Sequence, residues 1–233
     1  MPGFTIRADL RPHFAKWGIA LKSQGNRPTC SVFAMTAALE FAVAERHEAA
    51  FVLSEEYLNW ASNDAIGEYE DGGFFSDLWK GYKKHGICES RLAPYRETFD
   101  PEWKPGKEAH RQAHAFRLDA YELTWIKQWN VETGLSDEEA DAMVATLRSG
   151  LPVCAGMRWP KNPVWDNSVL QMCPPEEVFD GHSVLLVGYM LEHPGDLDAG
   201  AFIARDSGGG GRYITLPAVY VRHYTNDAAV ISD

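Results

Sequence analysis

Ser23-Gln24-Gly25-Asn26-Arg27-Pro28-Thr29-Cys30-Ser31-Val32-Phe33-Ala34 is the stretch on which the fold of this chain turns. A loop bearing Gly25 and Pro28 runs into a single cysteine, and neither Gly nor Pro interrupts the chain from Ser31 to Glu48. Val32, Phe33, Leu39 and Val43 recur at roughly helical spacing, which predicts a helix starting at or just after Cys30. A thiol there faces unpaired N–H groups and the positive end of the helix dipole, and both favour the thiolate. Gln24, six residues earlier, offers a neutral amide donor on the same loop. A thiolate attacking a carbonyl needs such a donor to hold the oxyanion that forms. Taken alone, the pair also fits a buried helix cysteine beside a surface glutamine. The rest of the chain decides between them.

The 233 residues, 45% of them hydrophobic, suffice for one large domain or two small lobes. A formal charge of −11 makes nucleic-acid phosphates and anionic membranes poor partners. No apolar run approaches membrane-spanning length, and Met1 to Leu10 lacks the two halves of a signal peptide. Cys30, Cys88, Cys154 and Cys173 show no metal-site spacing and no dense disulfide framework. Free thiols in a reducing, cytoplasmic compartment are the expectation, with no metal.

Phe4 to Leu21 reads as mixed and mostly extended, with Pro12 and Gly18 against a long helix. Ser54 is a plausible N-cap before Glu55 and Glu56, opening a second helix. Asp71-Gly72-Gly73 breaks the chain, and a third helix runs through Leu78, Trp79 and Tyr82 to about Gly86. Arg96 to Gly106, rich in Pro and charge, reads as a crossover to a β-rich half. His114 to Leu123 alternates like a strand. Ser136 to Ser149 reads as a helix, with Glu139 in the capping-box position. Leu151 to Met157 looks like a buried strand, and Trp159 to Pro175, holding four of the thirteen prolines, like loop. Ser183 to Tyr189, Ala201 to Arg205 and Tyr213 to Leu216 are short strands, the last two flanking the glycine loop Gly208 to Gly211.

A cysteine nucleophile needs a base, and the base needs a third group to orient its ring. His13, His47, His85, His110, His114, His193 and His223 sit among polar residues or turns and read as solvated side chains. His182 differs: it follows Gly181 and opens an apolar strand. Asp206 ends a second strand, and if the two strands pair its carboxylate reaches the second ring nitrogen of His182. Asp206 also fits a residue that merely starts the glycine turn.

Together these residues resemble the papain-like cysteine peptidases, especially their bacterial members. Gln24 and Cys30 match that family's oxyanion glutamine and nucleophile in type and spacing, and Phe33-Ala34 continues the match. Leu53-Ser54-Glu55-Glu56 resembles its Leu-Ser-Glu-Gln helix start. Asp71-Gly72-Gly73 resembles its Asn-Gly-Gly cleft wall, and Gly86-Ile87 through Ala93-Pro94-Tyr95 its Gly…Tyr-Pro-Tyr segment. Leu147 to Val153 resembles the helix-to-strand step before its second core, and Gly181-His182-Ser183-Val184-Leu185-Leu186-Val187-Gly188-Tyr189 its Asn-His-Ala-Val-Leu-Leu-Val-Gly-Tyr. The order holds from about Asp9 to Tyr224.

The resemblance implies an α+β, two-lobed papain-like fold in one catalytic domain over 1–233. A helical lobe would span about 20–95 and a β-rich lobe about 110–225, with the active site in the cleft between them. It implies a cysteine peptidase acting on peptides or proteins through Cys30, His182 and Asp206, with Gln24 at the oxyanion and no cofactor. Gly72, Gly73 and Gly181 would line the path of the substrate backbone, with Met157, Trp159 and Trp165 as further candidates for the pocket walls. The resemblance suggests a mature-like start, with no inhibitory pro-segment expected ahead of it. Four departures stand out. Asp206 replaces the family's Asn, and Ser207-Gly208 replaces its Ser-Trp, so the shielding Trp is missing. Ser31 replaces the Trp that commonly follows the nucleophile. Arg27 stands where the first cysteine of a frequent disulfide would be. Two other classes stay open: a thiol acyltransferase or leader-peptide peptidase, which shares the order Gln, Cys, His, Asp, and a non-catalytic peptide-binding module, which the departures at Asp206, Gly208 and Ser31 allow. The resemblance leaves the natural substrate and the oligomeric state open.

Overall fold

The computed structural model describes residues 5–117, 121–191 and 198–233. Phe4 and His193 lie outside the described residues, as does the middle of the strand expected over His114 to Leu123.

Five helices come first, after a short edge strand. Strand β1 (Thr5–Asp9) leads into α1 (Arg11–Lys16), where the sequence suggested mostly extended chain. Pro12 lies in the first turn of α1, where a missing N–H costs nothing, so it opens this helix where the sequence reading took it as a breaker. Helix α2 (Cys30–His47) begins at the cysteine as expected and is buried on almost every side. Such a helix belongs in a core. Helix α3 (Glu55–Ile66) is capped by Ser54, whose Oγ accepts the Tyr57 N–H at 2.9 Å. Helix α4 (Phe75–His85) stops at Gly86. Helix α5 (Lys107–Phe116) overturns part of the strand expected from His114 onward. Its buried Ala109, Ala113 and Phe116 recur at helical spacing, and that period outweighs the local alternation.

The second half is mainly antiparallel sheet. Strand β2 (Glu122–Lys127) precedes α6 (Asp137–Arg148), which carries the expected capping box between Ser136 and Glu139. Strand β3 (Val153–Pro160) runs further than Met157. The proline-rich loop after it contains a small ladder of β4 (Trp165–Asp166) and β5 (Val169–Leu170). Strands β6 (Val178–Leu191), β7 (Gly200–Asp206) and β8 (Arg212–Pro217) follow, then α7 (Ala218–Tyr224) and β9 (Thr225–Ser232). The sheet order is β2-β9-β3-β6-β7-β8-β5-β4, with β1 paired to the far end of β6. Helices gathered before a largely antiparallel sheet define the α+β class.

One apolar core joins the halves. Val32, Met35, Leu39 and Val43 of α2 share it with Val184, Leu185, Leu186 and Val187 of β6, all essentially inaccessible to solvent. Each such side chain contributes roughly 1.5–3 kcal/mol on burial. This contact fixes the cysteine end of α2 against the histidine end of the β6 apolar run. A smaller core, built on Tyr57, Ala61, Cys88, Ala109 and Ala113, ties α3 to α5.

Candidate active site

Register brings the site together. Leu185 of β6 pairs with Arg205 of β7, so His182 and Asp206 leave the same end of adjacent strands. His182 Nε2 lies 2.8 Å from Asp206 Oδ1, which also accepts the Gly208 N–H at 2.9 Å. That leaves Nδ1 for the sulfur of Cys30, the first residue of α2 and a hydrogen-bond partner of His182. Burial by itself would push the Cys30 thiol up. The hydrogen bond and charge of His182, with the backbone N–H groups of Ser183 and Ser31, bring it below its ordinary value. Burial likewise opposes the His182 cation, but Asp206 and Cys30 raise it to about 9. Asp206, also pushed up by burial, is held below the usual carboxylate range by His182, the Gly208 N–H and Arg212. The other three thiols move the opposite way: burial pushes Cys88 up to about 12 and also raises Cys154 and Cys173. All four cysteines are free. Of the four thiols, Cys30 alone is shifted downward, towards the thiolate.

Gln24 is held from both ends. Its Oε1 accepts from Ser207 Oγ at 2.8 Å and its Nε2 donates to the Arg27 carbonyl at 2.8 Å. Its backbone N–H donates to the Ser207 carbonyl at 3.0 Å. The loop before the cysteine is thereby docked onto the residue after Asp206. This network fixes the amide orientation and leaves the second Nε2 hydrogen unengaged among the described residues.

Two cations, Lys22 half-buried and Arg27 buried, brace this loop. Lys22 Nζ bridges Glu40 and Glu55 at 2.6 and 2.7 Å and also donates to the Leu53 carbonyl. Arg27 grips Asp71 with two nitrogens, the shorter contact 2.7 Å, and reaches Glu56 at 2.6 Å and the Arg96 carbonyl at 2.8 Å. Its guanidinium also lies over the Tyr95 ring, 4.6 Å from the centroid. Arg27 thus ties the cysteine loop to the Asp71-Gly72-Gly73 wall by charge.

A cavity of about 480 Å³ opens beside Cys30. Of the residues expected near the substrate, Gly73, Gly181 and Met157 line this cavity; Gly72, Trp159 and Trp165 do not. Gly72 has φ +82°, donates its N–H to Asn59 Oδ1 at 3.0 Å and faces the Pro28 carbonyl so closely that a Cβ would collide with it. Its place is the seam between the wall and the cysteine loop.

Several contacts escaped the sequence reading, which named Trp159 only as a candidate pocket wall and Arg212 not at all. Trp159, on β3, packs its ring 4.5 Å from that of His182. Arg212 sets Nε 3.8 Å from Asp206 Oδ2 and its guanidinium 4.4 Å from the Trp165 ring centroid. Together they cover the His182–Asp206 pair in the absence of a Trp after Ser207. Asp227 of β9 lines the cavity in a stretch to which the sequence reading gave no element. Sequence offered no signal for these, because each depends on strand neighbours distant in the chain. Four histidines read as solvated are in fact partnered: His85 bonds Asp64 at 2.7 Å, His110 the Tyr57 hydroxyl at 3.1 Å, and the exposed His13 and His223 bond Glu45 at 3.4 Å and the Val219 carbonyl at 3.1 Å. Among the described residues no cluster of side chains could hold a metal, and no helix is long and apolar enough to cross a membrane.

Comparison with solved structures returns the same architecture. Xylellain, a cysteine protease from Xylella fastidiosa, superposes with a TM-score of 0.73 at 21% identity, covering 100% of this chain and 86% of that one. Digestive procathepsin L 3 from the larval midgut of Tenebrio molitor gives 0.66 at 18% identity, over 99% and 70%. A clostridial cysteine protease after propeptide cleavage gives 0.63 at 15% identity, over 97% and 58%. No curated protein matches the chain. The family described as papain family cysteine protease matches residues 7–210. The chain belongs to the papain family of cysteine proteases.

Proposed function

We propose that this chain hydrolyses peptide bonds in peptide or protein substrates through a Cys30 thiolate paired with protonated His182, as one catalytic domain. The observation that supports this most is the set of opposed shifts: Cys30 lowered, His182 raised and Asp206 lowered, each against its own burial. Cys30 Sγ attacks the carbonyl carbon. The oxyanion takes hydrogen bonds from the Cys30 N–H and the second Nε2 hydrogen of Gln24. His182 gives its Nδ1 proton to the amide nitrogen, the C–N bond breaks, and the amine leaves behind a thioester. His182, now neutral, takes a proton from water as that water attacks the thioester. The acid departs, and the thiolate–imidazolium pair is restored. Asp206 holds the ring in the tautomer and orientation both steps require, and as a carboxylate it favours the charged ring more strongly than a neutral amide would. The substrate backbone lies along Gly73 and Gly181, where no side chain obstructs it.

The test is hydrolysis of a mixed peptide-amide library in ¹⁸O-labelled water, with and without an added amine. New carboxylates carrying ¹⁸O, absent with Cys30→Ala, are expected. Products joined to the amine in place of water would turn the assignment to acyl transfer. Full turnover by Cys30→Ala would end the thiol mechanism.

A further inference from the structure

The cavity beside Cys30 combines apolar walls with one buried acid. Phe74 and Trp129 stand half exposed along it, their ring centroids 5.1 Å apart, and Met157 forms part of the wall. The acid is Asp227, which is 4% exposed. Gly156 of β3 sits opposite it in the strand register and donates its N–H to the carboxylate. Any side chain at 156 would collide with Asp227 Oδ1, so the glycine leaves the space that the carboxylate occupies. Among the described residues Asp227 makes no salt bridge. Lys127 acts on it only through its field, and Arg158 lines the same cavity without pairing with it. Burial pushes this carboxyl up to about 6, which leaves it ionised at neutral pH and above. A buried carboxylate without a counter-charge is destabilising, and a cation brought to it is held strongly.

We propose that Asp227 determines specificity: the cavity takes a Lys or Arg side chain of the bound peptide, its stem against Phe74, Trp129 and Met157 and its charged head on the Asp227 carboxylate. The shape suits that chemistry, because lysine and arginine are apolar along the stem and cationic only at the tip. A cavity of about 480 Å³ also falls in the range that encloses organic groups of this size. The inference rests on the peptidase reading above and names the substrate class of the same site.

The test measures kcat/KM at pH 7.5 for peptide amides carrying Lys, Arg, norleucine or Glu at each of the three positions before the cleaved bond. At one position Lys or Arg should exceed norleucine by roughly 10-fold or more, and Glu should be the poorest. In Asp227→Asn, with folding checked by circular dichroism, that ratio should fall towards one. Cleavage without charge preference, or a preference that persists in Asp227→Asn, would overturn the assignment and leave the peptidase reading intact. A preference for Glu would assign the pocket's charge reading to Arg158 and overturn it equally. No cleavage of any member by folded enzyme would overturn the peptidase reading itself and this inference with it.

Discussion

Replacing Arg27 by methionine keeps most of the apolar stem and removes the charge. In the native chain that guanidinium is 4% exposed and pairs with Asp71 and Glu56, whose side chains are 8% and 3% exposed. It also satisfies the Arg96 carbonyl and stacks on Tyr95. The substitution therefore leaves two carboxylates without their cation, with only Asn59 Nδ2 on Asp71 and the Arg96 N–H on Glu56, and strips the Arg96 carbonyl of its donor, in a space water barely reaches. Removing one partner of a buried pair costs about 3–5 kcal/mol, against about 0–1 kcal/mol for a surface pair. For a chain of this length each kcal/mol moves Tm by about 2–4 °C, so a drop of roughly 6–20 °C is expected. Urea unfolding monitored by tryptophan fluorescence reads the free energy, and a thermal scan reads Tm. The double variant Arg27→Met/Asp71→Asn should recover part of the loss, because it also removes the stranded charge. A loss below about 1 kcal/mol would refute the claim that this network holds the cysteine loop against the wall.

Two further outcomes follow from the same structure. His182 is raised from 6.5 to about 9, so its contribution to stability is complete below about pH 6.5 and is lost as pH rises through about 9. The difference in unfolding free energy between native protein and His182→Gln should shrink over that window, and hydrolysis should fall above about pH 9 as the proton donor is lost; a difference that grows with pH would contradict the pairing. Gly72→Ala meets both a left-handed backbone and the Pro28 carbonyl, and should cost more than about 2 kcal/mol in urea unfolding. Gly25→Ala is the control: φ is +60° but nothing lies within 4 Å of its Cβ, and about 1 kcal/mol is expected. Equal costs would show that the seam at Gly72 is not tightly packed.

The parts of the fold legible in the sequence were those with local causes. An uninterrupted apolar run after Cys30, a serine cap at Ser54 and a capping box at Ser136 each declare a helix from within a few residues. The brief apolar runs around Val184 and Ile203 declare strands in the same way. What remained hidden depends on partners far along the chain. Helix α5 is specified by three small or aromatic residues that bury one face against α3 and α4, and β4 and β5 exist only because β8 offers an edge. Trp159 and Arg212 reach the His182–Asp206 pair through strand pairing that residue type alone does not encode. The same holds for Arg27. A cysteine that is absent marks a lost link; only the folded chain shows that an ion pair with Asp71 spans that seam.

The central claim is an activated Cys30–His182 ion pair, and thiolate trapping addresses it directly. Intact protein at about pH 6 is treated with a peptide epoxide or vinyl sulfone and followed by mass spectrometry, alongside His182→Ala and Asp206→Ala. An ordinary thiol is almost wholly protonated at that pH and reacts slowly. The structure predicts a single fast label on Cys30 that is lost in His182→Ala and slowed in Asp206→Ala. Slow labelling spread over Cys30, Cys88, Cys154 and Cys173, indifferent to His182, would contradict it.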